Sequence, residues 1–293
     1  MKVCGFTFIK NAVRFDFPVV EAITSVLPVC DHFIVAVGNS DDNTREIIEK
    51  IDPGKIKIKD TVWDDNLKKG GEVYAVETNK AFDAVPPEYD WCFYIQCDEA
   101  VHEKYLPAIE RAMQENLKRR EVDGLLFGFR HFYGTYDYVG DSRRWYRNEI
   151  RIIRNDKSIR SYRDAQGFRK NRNKLKVVKI PAEIYHYGWV RPPGFMQQKI
   201  DSVKQYYDGE KPVQTEKKDI NSEFNYSESY DSIAKFEGSH PAVMKERISR
   251  LNWEMDADPE KINIKLKYRL LYRFEKLTGF RLFEYRNYSL LKS

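Results

Sequence analysis

The chain has 293 residues, 42% hydrophobic and 14% aromatic, enough to bury a sizeable core and incompatible with wholesale disorder. Lys and Arg number 50 against 45 Asp and Glu, and a formal charge of +5 is too weak to argue for nucleic acid. Cys4, Cys30, Cys92 and Cys97 show no CxxC spacing, which sets aside a zinc or dithiol site and indicates reduced thiols in a cytoplasmic protein.

The apolar part of the N-terminus is too short for a signal peptide, and no window approaches about 18 uninterrupted apolar residues. "VCGFTFI" (3–9) reads as a strand and "FPVVEAITSVL" (17–27) as a helix, with Asp16 as N-cap and Pro18 in its first turn. "HFIVAV" (32–37) is a second strand, after which Ser40 or Asp41 can cap the helix "NTREIIEKI". "KIKIKD" (55–60) alternates as a more exposed strand, and 71–85 reads as a third helix. "WCFYIQ" (91–96) is apolar on both faces, as a central strand should be, and 103–120 forms a helix with acids early and bases late.

This alternation predicts an α/β fold with a Rossmann-like, mostly parallel central sheet flanked by helices. From residue 121 the chain turns strand-rich and aromatic, in "DGLLFGFRHFYGTY", "EIRIIRN" and "KVVKIPAEIYHYGWV". Residues 208–240 are polar and read as loop, and the tail from Pro259 as helical and basic. Three parts are expected: 1–120, 121–200 as the second half of the same domain, and 201–293 as a C-terminal extension.

In such sheets ligands gather beyond the carboxyl ends of the strands. Asn11 follows the first strand, Asn39 to Asp42 the second, Trp63 to Asp65 the third, and Asp98 and Glu99 the fourth. No GxGxxG or GxxxxGK[ST] is present, so a bound nucleotide would have its phosphates held through a divalent cation, Mg²⁺ or Mn²⁺, on strand-end carboxylates.

The ordered set "GFTFIKN", "HFIVAVGNSDDNT", "ETNKA" and "YIQCDEAVHE" resembles the nucleotide-binding half of glycosyltransferase family 2, over about the first 120 residues. The resemblance implies a GT-A-like fold and inverting transfer of a sugar from a nucleoside diphosphate sugar to an acceptor hydroxyl. By its motifs Asp98 falls on the last acid of the family's DxD metal and diphosphate motif, and Glu99 on the acid that often follows. Asn39 to Thr44 fall on the loop usually written GSTDGT, with Asp42 on its acid, and Asn79 belongs to the matched "ETNKA". Two departures stand out: Gln96 replaces an acid of the DxD, and Val37 and Gly38 replace acids that help hold the nucleoside. Metal affinity then rests on Asp98 and a later ligand, with Gln96 left to bond ribose or a metal-bound water.

In "IYHYGWVRPP", His186 is the expected second metal ligand, since a histidine after the acceptor region completes the metal shell in similar enzymes. Trp63 and Trp189 are sugar platforms or core. Arg191, Arg163 and Lys199 are cations to balance a diphosphate. An inverting transferase needs a carboxylate to take the acceptor proton; Asp164 is the expected base, with Asp141 and Glu149 as rivals.

A glycan or lipid-linked acceptor suits a bacterial surface-polysaccharide enzyme. In the tail, Ile262, Leu266, Leu270, Phe274 and Leu277 form one stripe beside Lys265, Arg269, Arg273 and Lys276. That pattern fits either peripheral contact with the inner face of an anionic membrane or packing on the catalytic domain. Two other functions remain open: a non-catalytic nucleotide-sugar binder on a degenerate scaffold, and a nucleotidyltransferase, whose glycine-rich loop "FIKNAVRFDF" lacks.

Overall fold

The computed structural model describes residues 1–207 and 223–292. Strand β1 (Val3–Ile9), helix α1 (Val19–Val26), β2 (His32–Val37), α2 (Thr44–Glu49), β3 (Ile56–Asp60), α3 (Glu72–Asp83) and β4 (Trp91–Tyr94) follow in chain order. The four strands are parallel in the order β4-β1-β2-β3, with Phe6 opposite both Ile34 and Tyr94.

Alternation of side chains along a strand splits the core into two layers. On one face Phe33, Val35, Trp91 and Phe93 pack against Ile23 and Val26 of α1, and against Ile109 and Met113 of α4 (Leu106–Glu115). On the other, Phe6, Ile34, Cys92 and Tyr94 meet Ala81 and Phe82 of α3. All four residues of β4 are buried, so its unbroken apolar run reflects a strand covered on both sides.

The second half supplies β5 (Glu99–Val101), β6 (Gly124–Tyr133), β7 (Thr135–Gly140), β8 (Asn148–Arg154) and β12 (Lys176–Trp189), with a small separate sheet of β9 (Ile159–Tyr162), β10 (Gly167–Lys170) and β11 (Asn173–Lys174) before β12. Strand β8 lies antiparallel between β4 and β6, while β12 runs parallel to β6 and antiparallel to β5. Then come α5 (Pro193–Lys204), β13 (Ile233–Lys235) on β7, α6 (Lys245–Ser249), α7 (Leu266–Thr278) and β14 (Ser289–Leu290) on β12. The α/β architecture, with its helix-flanked central sheet, strand-rich second half and helical C-terminal segment, is the one expected.

Local details differ. Asp16 does not cap α1: it has a positive φ of 50° and pairs with Arg247 at 2.7 Å, tying α6 to the start of the chain. The position before α1 is Pro18, without a side-chain cap. Ser40 and Asp41 do not cap α2 either; Asp42 accepts from Thr44 N at 3.0 Å and from its hydroxyl. Of the 208–240 stretch expected as loop, 208–222 lie outside the described residues. The remainder is firmly attached, because Tyr226, Tyr230 and Ile233 are buried with Tyr133, Trp145 and Met196.

Candidate active site

A cavity of about 1040 Å³ opens beyond the carboxyl ends of β1 and β4. The chain leaving β1 brings Lys10 and Asn11 to it, the turn after β4 brings Gln96, Cys97 and Asp98, and the end of β12 brings His186, Gly188 and Trp189. Trp63 after β3, Lys199 on α5, Asp164 from the β9–β10 turn, and Tyr206 and Tyr207 complete its wall. Asn11 reaches it with a φ of 55°, a conformation Asn tolerates, while its side chain accepts from Asp41 N at 3.0 Å.

Asp98 lies at the centre of the charge. Burial alone would raise its carboxyl, but Lys199, His186 and Arg191 outweigh that effect and hold it at about 2. Lys199 Nζ donates to Asp98 Oδ2 at 3.3 Å and to the Gly188 carbonyl at 2.8 Å. Burial, then Arg191, lower this ammonium to about 8 against the pull of Asp98, so it remains charged at neutral pH.

His186 is oriented by a partner that the sequence did not reveal. His131 Nε2 lies 2.9 Å from the Tyr146 carbonyl, which can only accept, so that nitrogen carries the proton. Burial pushes both imidazoles below their ordinary value, His131 far below, which makes them neutral. His131 Nδ1 therefore accepts from His186 Nδ1 at 3.0 Å, and His186 Nε2 is left with a bare lone pair. It faces Asp98 Oδ2 across 3.8 Å.

An ionised carboxylate and an unprotonated imidazole nitrogen are the forms that bind a divalent metal. Gly188 keeps the gap open, since a Cβ there would lie 2.5 Å from His186 Nε2 and 2.8 Å from Asp98 Oδ2. No cluster of three His, Cys, Asp or Glu able to hold a metal occurs among the described residues. Two protein ligands still fit Mg²⁺ or Mn²⁺, which draw the rest of their shell from water and phosphate oxygens.

Asp164 is held at the cavity wall by a close approach. Gly71, at φ 71°, would carry a Cβ only 2.9 Å from Asp164 Cβ and from the Tyr207 ring, so only glycine permits the contact. Tyr207 OH donates to Asp164 Oδ2 at 3.4 Å, while Arg160 pairs with Asp83 and Arg169 bonds Tyr162 and the Asn287 carbonyl. Asp164 also lines a second cavity of about 430 Å³, with Arg144, Arg147, Arg163 and Glu149.

Of its rivals, Asp141 lies away from both cavities, bonded to Tyr272 at 2.7 Å and to Lys276. Glu149 is buried, accepts from Gln166 and Asn287 at 2.8 and 3.1 Å, and is pushed by burial from 4.5 up to about 7. A carboxyl with a raised folded-state pKa costs stability as pH climbs from about 4.5 to about 7, and the full cost persists above that. Glu149→Gln is therefore expected to stabilise the protein at pH 8 by about 1–3 kcal/mol and not at pH 4.5. Thermal melts at the two pH values check this, and a variant less stable at pH 8 contradicts it.

Several expected site residues serve the fold instead. Glu99 does not face the cavity; it is fully buried and held by Arg151 at 2.6 and 2.8 Å. Arg191 is also fully buried, donating to the Phe15 carbonyl at 2.6 Å and stacking on Phe17, and it acts on Asp98 only through the field. Asn39 accepts from Trp63 N at 3.3 Å outside the cavity. Asp42 accepts from Thr44 N at the start of α2 and from Arg14 N, at 3.0 and 2.7 Å. Asn79 exchanges bonds of 3.0 and 2.9 Å with the Ser161 backbone and pins β9 to α3. Arg163 belongs to the second cavity. Trp63 is both core and wall, packed on Phe8, Tyr74 and Tyr206, while Trp189 stacks on Tyr133. Gln96 donates to Tyr94 OH and the Ala165 carbonyl at 3.3 and 3.4 Å, tying the β4 turn to the Asp164 loop.

No family model and no curated protein matches this chain. Among solved structures, residues 1–349 of TarS from S. aureus are similar at 14% identity and a TM-score of 0.38, over 69% of this chain and 64% of that one. This chain therefore spans less than two thirds of it. Glucosyl-3-phosphoglycerate synthase from Mycobacterium tuberculosis, in complex with Mn²⁺, UDP and phosphoglyceric acid, gives 15% identity and a TM-score of 0.29, over 45% and 43%. HddC from Yersinia pseudotuberculosis gives 12% and 0.39, over 70% and 100%. At such scores the activity has to be argued from this chain's own residues.

Proposed function

We propose that the protein is an inverting glycosyltransferase that moves a sugar from a nucleoside diphosphate sugar to an acceptor hydroxyl. The reading rests on Asp164, a carboxylate on the wall of two adjoining cavities, one of which also holds the Asp98, His186 and Lys199 cluster. The larger cavity takes the donor and the smaller the acceptor, a glycan or lipid-linked hydroxyl of bacterial surface-polysaccharide assembly. Residues 1–120 then form the donor half, 121–200 the acceptor half and 201–293 an extension, in a cytoplasmic protein.

Asp98 and His186 Nε2 would hold Mg²⁺ or Mn²⁺, which when bound neutralises charge gathering on the departing diphosphate. Lys199 adds a second positive charge beside Asp98, and Trp63 and Trp189 offer faces for base or sugar. Asp164 takes the proton as the acceptor oxygen attacks the anomeric carbon; the C–O bond to the diphosphate breaks and its electron pair leaves with phosphate.

The test is a screen of nucleoside diphosphate sugars for thermal stabilisation and donor hydrolysis, with and without Mn²⁺. Asp164→Asn is expected to keep donor binding and lose about a hundredfold in transfer. Metal-independent binding with no turnover on any donor would favour a non-catalytic binder, the reading that the neutral Gln96 motivates.

A further inference from the structure

Helix α7 is attached by its polar side. Tyr272 OH donates to Asp141 at 2.7 Å, Lys276 pairs with the same carboxylate, and Glu275 accepts from Arg143 and Arg281 at 2.8 and 2.7 Å. Glu275 lies opposite Leu266, Leu270 and Leu277 on the helical wheel, so the leucines point outward. They are 79%, 70% and 87% exposed, and Phe274 extends the same stripe. A leucine stripe that would usually face the core faces outward here.

Two further exposed phenylalanines follow the helix. Gly279, at φ 70°, turns the chain, and Phe280 and Phe283 follow, both exposed. Phe283 has a φ of 56°, a strained conformation for a phenylalanine, and its ring gains no internal packing in return, being 89% exposed. Lys265, Arg269 and Arg273 are exposed along one border of the stripe. A 13-residue helix spans about 20 Å, which gives four apolar anchors in one line with bases beside them.

We infer that α7 and the turn after it lie on the surface of an anionic lipid bilayer, with Leu266, Leu270, Leu277 and Phe283 among the acyl chains and Arg269 and Arg273 against the headgroups. Charge selects this occupant over a second copy of the chain. Two α7 helices packed stripe to stripe would bring their Arg269 and Arg273 borders together, and Glu275, the acid of the helix facing the body, is already consumed by Arg143 and Arg281. Anionic headgroups supply the opposite charge along the whole border. No helix among the described residues is long and apolar enough to cross a membrane, so the contact is with the surface.

Flotation of the full chain with vesicles of phosphatidylcholine alone, and of phosphatidylcholine with phosphatidylglycerol, tests the inference. Binding is expected on the anionic vesicles only, falling as NaCl is raised. Arg269→Glu with Arg273→Glu should weaken it at least about tenfold, and Leu270→Glu with Leu277→Glu should abolish it. Circular dichroism and donor binding in the same samples report folding, and keep failure of the docking separate from failure of the transfer reading. The inference is overturned if the wild type does not float with anionic vesicles, if its binding ignores salt, or if light scattering finds a dimer that the leucine variant disperses.

Discussion

If the protein transfers sugar as proposed, Asp98→Ala is expected to lower that transfer on the order of a thousandfold or more and to remove the Mn²⁺ dependence of nucleoside diphosphate binding. Its carboxylate and His186 Nε2 are the two groups proposed to share the cation, and it also balances Lys199 at 3.3 Å. Without it Lys199 and Arg191 remain as buried neighbouring cations, so the ammonium loses the group that holds it up and is pushed further down by burial and Arg191. The group contributes to stability too. Its folded-state value of about 2 lies below the ordinary 3.8, so about 2 kcal/mol is present above pH 4 and fades as pH drops towards 2. Calorimetry of UDP binding with and without Mn²⁺ gives the readout, with circular dichroism as the folding control. A folded variant that still turns over at the wild-type rate would refute the assignment.

The second large effect is on stability. Arg151→Met is expected to cost about 3–5 kcal/mol, because it leaves Glu99 charged and uncompensated inside the protein. Both side chains are fully buried, joined by bonds of 2.6 and 2.8 Å, and the guanidinium also donates to the Ile150 and Gln166 carbonyls between the rings of Tyr94 and Phe129. Replacing both partners, with Glu99→Leu and Arg151→Met together, should cost less than the single change, since no lone charge then remains. Chemical denaturation of the three proteins measures this. A double variant as unstable as the sum of its single changes would show that the two groups do not act as a pair.

The sheet was legible because its signals are local. Runs such as "HFIVAV" and "WCFYIQ" fix strand type and burial within six residues, and the loops after them lead where a parallel sheet must send them. Asp98, His186, Trp63, Gln96, Asn11 and Asp164 do meet in one cavity. Asn79, Asp42 and Arg191 carry the same polar character, yet each bonds a backbone atom that sequence spacing does not reveal. Glu99 looked like the twin of Asp98, but the three-residue strand β5 turns it to the opposite side, towards an arginine 52 positions later. His131 sits in an apolar strand pattern and shows its role only once β6 and β12 bring it beside His186.

Strand β12 works as a strut. At one end Lys176 and Val177 carry the terminal strand β14, and nine residues on, roughly 30 Å away, His186 stands in the proposed catalytic cluster. The segment from α7 to β14 is fastened at both ends, by Asp141 at the helix and by the sheet at the strand. Those two ties hold the segment against the same sheet that carries the cleft. A surface gripped by the outward leucines would thus set the height and tilt of the cleft as a carpenter's square sets an edge, and the acceptor would have to arrive at that height rather than be fetched by a swinging arm.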